Sequence, residues 1–119
     1  MIAVIDYGIG NLRSVVKALQ RAGGDARLVD GPAELRRAGK IVLPGVSGFE
    51  DAMRHLHERG LGEPITRAVT EGLPYLGFCL GLQLLFDVSY ENGEHRGLGL
   101  LPGKVVRFDF QAEATAARR

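Results

Sequence analysis

A single cysteine, Cys79, serves all 119 residues. No internal disulfide can form, and a reducing cytoplasm is the expected home. No apolar run approaches the ~18 residues of a membrane span. Met1-Ile2-Ala3-Val4-Ile5-Asp6 lacks the basic head and small-residue cleavage site of a secretory signal. Charge excess is also missing: fifteen basic against fourteen acidic residues leave +1. That gives no electrostatic footprint for nucleic acid or an anionic membrane. Histidines number three. His55 and His57 stand two apart on a helical stretch, face different ways, and do not suit a metal. His95 lies in a polar stretch. Each reads as a surface histidine, and no general base stands out.

What is present suits one soluble globular domain over residues 1–119. Hydrophobic residues make up 45% and charged residues 24%. Glycine is in excess, seventeen residues, twice the usual ~7%. Such a chain makes many tight turns. Ile2 to Ile5 is a short apolar run, as a buried parallel strand should be. From Asn11, a suitable N-cap, Leu12, Val15, Val16 and Leu19 fall on one helical face, and Gly23-Gly24 stops the helix. Asp25 to Val29 reads as a strand, Ala33 to Ala38 as a short helix, and Lys40 to Leu43 as a third strand. Phe49, Ala52, Met53 and Leu56 have helical spacing up to Gly60. Glu63 to Glu71 is another helical segment. Leu73 to Phe78 reads as a strand and Leu82 to Phe86 as a helix. Asp87 to Arg96 reads as a loop and Val105 to Phe110 as a last strand. Gln111 to Arg119 is polar and alanine-rich. Alternating strands and helices predict an α/β fold, an open, mostly parallel, flavodoxin-like sheet with helices on both faces. In such sheets, sites form beyond the carboxyl ends of the strands. Three glycine-rich turns come after strands, at Gly8 to Gly10, Gly45 to Gly48 and Gly77 to Gly81, and should converge on one edge.

Cys79 carries the most chemistry. Pro74 to Gln83 reads as an apolar strand, a Gly-x-Cys-x-Gly turn and a helix start. This is the cysteine form of a nucleophile elbow, with glycines that permit a sharp turn. The start of a helix favours thiolate, and the pattern predicts acyl transfer at a carbonyl. The competing reading is a buried structural thiol. Gln83, one helical turn later, lies on the side of Cys79, where it could bind an amide or carboxylate or simply be solvated. Leu43-Pro44-Gly45-Val46-Ser47-Gly48 is a turn whose N–H groups could form an oxyanion hole, or a plain strand-to-helix turn capped by Ser47. Asp6 to Asn11 comes after a strand and holds Gly-x-Gly. The third glycine of a dinucleotide fingerprint would fall at Arg13, so that match fails.

These segments together resemble a known family. Asp6-Tyr7-Gly8-Ile9-Gly10-Asn11-Leu12-Arg13-Ser14-Val15, Leu43-Pro44-Gly45-Val46 with Phe49 and Asp51-Ala52-Met53, Gly77 to Phe86, and Gly97-Leu98-Gly99-Leu100-Leu101-Pro102-Gly103 with Val105 to Phe108 are similar to the glutaminase subunit of imidazole glycerol phosphate synthase. The elbow marks triad glutamine amidotransferases broadly, whereas the first and last stretches are more particular. The resemblance implies a triad glutamine amidotransferase fold and needs no cofactor or metal. It implies that Cys79 attacks the side-chain amide of glutamine, and that ammonia passes to a barrel-fold cyclase subunit in a heterodimer of histidine biosynthesis. It assigns Val46 and Leu80 to the oxyanion hole and Gly45 and Gln83 to glutamine. The Asp6 to Asn11 loop, with Tyr7 and Asn11, would face the cyclase.

Two departures accompany it. The family usually has glycine then alanine where Ser47 and Gly48 stand, a change that keeps the turn small. The family's catalytic histidine and glutamate come from a His-Pro-Glu motif near its C-terminus, and this sequence holds no such motif. The expectation is therefore the N-terminal part of such a subunit, C-terminally incomplete, inactive alone and poorly stable. The alternatives are a non-catalytic cyclase-binding remnant, another triad amidotransferase, or a flavodoxin-like small-molecule binder.

Overall fold

The computed structural model describes residues 1–8, 11–45 and 48–108. Four parallel strands form the main sheet: β1 (Ile2–Ile5), β2 (Ala26–Val29), β3 (Lys40–Leu43) and β4 (Tyr75–Gly77), in the order β2-β1-β3-β4. Apolar residues alternate across it. Val4 is opposite Leu28 and Val42, and Val42 is opposite Leu76, so these four share one face. Helix α1 (Leu12–Arg21) covers that face with Leu12, Val15, Val16 and Leu19 against Val4, Ala26 and Val42. The other face carries Ala3, Ile5, Val29, Ile41 and Leu43. Against it pack Leu35 of α2 (Pro32–Leu35), Ala52, Met53 and Leu56 of α3 (Phe49–Glu58), and Ile65 of α4 (Gly62–Thr70). Helices on both faces of a parallel sheet were expected, and this is the larger core. No described helix is long and apolar enough to cross a membrane.

Local chemistry explains the helix ends. Pro32 begins α2, where its missing N–H costs nothing. Glu50 and Asp51 lie in the first turn of α3, complementing the helix dipole. Asn11 occupies the N-cap position of α1 as expected, but its side chain makes no capping hydrogen bond.

The elbow region departs from the sequence-based expectation in three places. The helix expected over Leu82 to Phe86 is instead α5 (Leu80–Gln83). The polar stretch expected as a loop forms β5 (Phe86–Ser89) and β6 (His95–Arg96), an antiparallel pair. The last strand is β7 (Leu101–Val105), earlier than expected, and residues 109–110 lie outside the described ones. β7 runs parallel to β5, with an irregular register between Phe86 and Val88. Pro102 and Gly103 are poor strand formers, and β7 lies at the edge of this sheet, where they are tolerated. Gly103 N–H donates to the Asp87 side-chain carboxylate of neighbouring β5 and not to a backbone carbonyl of that strand.

Candidate active site

The parallel register brings the carboxyl ends of β1, β3 and β4 side by side, and two hydrogen bonds tie the turns beyond those ends together. The Tyr7 hydroxyl, after β1, donates to the Pro44 carbonyl, after β3, at 2.5 Å. The Leu80 N–H, after β4, donates to the Gly45 carbonyl at 3.2 Å. The three turns thus converge as the sequence predicts.

Cys79 stands at the tip of the β4–α5 turn with φ 50 and ψ −110. Among the described residues it is the one non-glycine residue at positive φ. An L side chain crowds its own backbone there, a conformation that persists when the surroundings enforce it. The enforcing contacts are backbone to backbone. A Cβ on Gly77 would lie 2.5 Å from the Gly81 backbone, and a Cβ on Gly81 would overlap the Leu43 carbonyl oxygen. Both glycines are therefore needed for close approach of α5 to the strands, and the positive φ falls on the cysteine between them. The Tyr75 hydroxyl clamps the far side, donating to the Gly81 carbonyl at 2.7 Å. The free thiol is exposed, as a nucleophile must be and a structural thiol need not be.

The other expected residues have varied surroundings. Gly45 is buried, and a Cβ there would overlap the Tyr7 hydroxyl and crowd Leu80. Leu80 comes directly after Cys79, but its N–H, expected to face an oxyanion, is engaged by Gly45. Val46 lies outside the described residues, as does Ser47. Tyr7, expected at a partner face, is fully buried. Its side chain supports the β3 turn and offers no surface to a partner. Asn11 is exposed. The start of the Asp6 to Asn11 loop is held from the α3 side, where Arg59 donates to the Asp6 carbonyl and His55 packs on Gly8.

Gln83 lines a cleft of about 250 Å³ together with Glu50, Glu91, Asn92, His95 and Arg107. Its N–H also bonds the Cys79 carbonyl, so the cleft lies one helical turn from Cys79. Carboxylates and a guanidinium in one small cleft can hold the ammonium and carboxylate of a free amino acid. Glu91 and Arg107 drew no notice in the sequence, because the segment around Glu91 reads as a solvated loop and Arg107 as part of a strand. The signal lay in Phe86-Asp87-Val88-Ser89, whose apolar–polar alternation marks a strand.

No hydrogen bond or ion pair joins a histidine to Cys79 among the described residues. His95 bonds the Asn92 carbonyl at 2.6 Å and lies 3.5 Å from the Glu50 carboxylate. His57 packs beside Gly62. No cluster of three or more His, Cys, Asp or Glu side chains suited to a metal occurs among the described residues.

Comparison with known proteins agrees with this geometry. The chain is 56% identical over 108 residues to imidazole glycerol phosphate synthase subunit HisH of Desulfitobacterium hafniense strain Y51, covering 91% of this chain and 51% of that protein. It is 45% identical over 113 residues to the HisH subunit of Rhodopirellula baltica, covering 95% and 55%. The chain thus spans about half the length of the curated relatives it matches. A crystal structure of a glutamine amidotransferase superposes with a TM-score of 0.76 at 24% identity, over 90% of this chain and 57% of that one, a likeness of fold. The resemblance read from the motifs is thereby upheld across the chain. Residues 4–114 match the CobB/CobQ-like glutamine amidotransferase domain, and the chain belongs to that family.

Proposed function

We propose that residues 1–119 form one glutamine amidotransferase domain, the nucleophile-bearing part of a cytoplasmic glutaminase subunit of imidazole glycerol phosphate synthase. The observation that carries this is the exposed, strained Cys79 held between β4 and α5, in a chain 56% identical to a HisH subunit. Cys79 as thiolate adds to the side-chain amide carbon of glutamine. The carbonyl π pair moves to oxygen, giving a tetrahedral oxyanion. The Leu80 N–H exchanges its long bond to Gly45 for a charge-assisted one to this oxygen, and Val46 N–H is the second donor. Collapse breaks the C–N bond, the nitrogen takes a proton, and ammonia leaves a glutamyl thioester. Water then releases glutamate and the thiol. Gly45 and Gln83 hold glutamine, with Glu91 and Arg107 at its amino-acid end.

The ammonia serves a barrel-fold cyclase subunit, in a heterodimer that makes imidazole glycerol phosphate for histidine biosynthesis. The cyclase docks on the Asp6 to Asn11 face through Asn11 and neighbouring backbone. The amide nitrogen needs a proton donor, and no histidine is bonded to Cys79 among the described residues, so this chain alone does not turn glutamine over at an appreciable rate. Steady ammonia release from the chain alone, lost in Cys79→Ala, would contradict that expectation. Alkylation by a radiolabelled chloroketone analogue of L-glutamine, which needs no protonated leaving group, tests the nucleophile. Label is expected on wild-type protein and absent from Cys79→Ala, and equal label on both would sink the assignment.

One observation favours a second reading, a non-catalytic cyclase-binding remnant: the Leu80 N–H is already occupied. Tight cyclase binding with no thioester would support it.

A further inference from the structure

Tyr7 has no place in the chemistry above, yet it is fully buried with its hydroxyl against the site. Pro44 contributes no N–H, and its carbonyl is buried with the Tyr7 hydroxyl as donor. The next residue, Gly45, is wedged between that hydroxyl and Leu80: a Cβ there would overlap the hydroxyl and lie 3.2 Å from the Leu80 Cβ. The Gly45 carbonyl in turn takes the Leu80 N–H. Tyr7, Pro44, Gly45 and Leu80 form one packed series ending beside Cys79. We infer that Tyr7 is a positioning residue for the proposed reaction, its hydroxyl fixing the Pro44–Gly45 backbone against the elbow so that the Leu80 N–H is aimed where the oxyanion forms. This rests on the glutaminase reading. A shift of about 1 Å in such a group is enough to slow chemistry strongly. Burial pushes the phenol up to about 12, so it is a donor throughout the neutral range. Removing that donor leaves the buried carbonyl without the partner it has here, and the turn relaxes to find another.

The test compares two reagents on Cys79 in the 119-residue chain. A chloroketone analogue of L-glutamine forms its S–C bond as chloride leaves and uses the carbonyl site. Iodoacetamide is the small alkylator that measures bare thiol reactivity. In Tyr7→Phe the limiting rate with the chloroketone should fall about tenfold, with half-saturation and the iodoacetamide rate unchanged. Gly45→Ala, which keeps the hydroxyl but pushes against it, should likewise lower the limiting chloroketone rate and leave the iodoacetamide rate unchanged, whatever its half-saturation. Wild-type limiting rate in Tyr7→Phe, or equal slowing with both reagents, overturns the positioning role while leaving the glutaminase reading intact. If Tyr7→Phe does not fold, Gly45→Ala decides: selective slowing supports the role and an unchanged rate overturns it. Wild-type protein showing no saturation with the chloroketone would contradict the glutaminase reading, and this inference with it.

Discussion

At the residue scale, Cys79 presents a conflict between stability and reactivity. A conformation of this kind costs about 1–3 kcal/mol for a residue with a Cβ, and glycine escapes it. Glycine also loses more freedom on folding, which offsets part of the relief. Cys79→Gly should therefore be more stable than Cys79→Ala by about 1 kcal/mol, read as a higher urea midpoint, with both variants unable to form a thioester. Equal stability would mean that the turn is unstrained. The two buried tyrosines give a second prediction. Burial raises Tyr7 to about 12, and Tyr75 is raised by burial and then by neighbouring Tyr7. Unfolded, both ionise near ~10. Below that pH both states keep the phenolic protons, and the full stability is present. Above it the unfolded chain loses protons that the folded chain retains. Unfolding should then become easier by about 1.4 kcal/mol per pH unit for each tyrosine. Urea midpoints from about pH 9 to 11.5, spanning the ordinary phenol range, test this, and Tyr75→Phe should flatten the fall.

At the element scale, the elbow is held by two glycines that let α5 lie on the strand backbones. Gly81→Ala places a methyl on the Leu43 carbonyl and Gly77→Ala one on the Gly81 backbone. Each neighbour is main chain and cannot rotate away, so each variant should lose about 2–3 kcal/mol and label poorly at Cys79. Gly48→Ala, with open space around it, should change little. The elements of the main sheet were legible because each is short, largely apolar and closed by glycine or proline. Lys40–Leu43 and the helical face of Phe49 to Leu56 match their expected places. The small sheet was not legible. Leu84 and Leu85 prolong an apolar run that looks helical, while the backbone turns there to send Phe86 and Val88 into β5. β7 runs through Pro102 and Gly103, whose local preferences oppose a strand, and only pairing with β5 makes them one. The site divides in the same way. The sharp turn at Cys79 and the tight turn at Gly45 were legible from their glycine spacing. The support from Tyr7 depends on a bond between distant turns, which no spacing encodes, and so does the partner that holds the Leu80 N–H.

At the scale of the whole molecule, β4 is one of the two edge strands of the main sheet among the described residues. Its Leu76 is 49% exposed and the neighbouring Phe78 43%. An unpaired strand edge with apolar side chains is a template for association. Leu76→Lys should reduce concentration-dependent light scattering severalfold while leaving the circular dichroism spectrum unchanged, and unchanged scattering would show that this edge is not the adhesive surface. The same edge adjoins Cys79, so association and labelling should compete. The central claim concerns one sulfur atom and one substrate. Its most direct measurement is intact and peptide mass spectrometry after treatment with 6-diazo-5-oxo-L-norleucine, with and without L-glutamine. The account predicts a single adduct on the peptide holding Cys79, formed faster than on free cysteine and suppressed by L-glutamine but not by D-glutamine. An adduct elsewhere, or one at Cys79 that L-glutamine does not suppress, would contradict it.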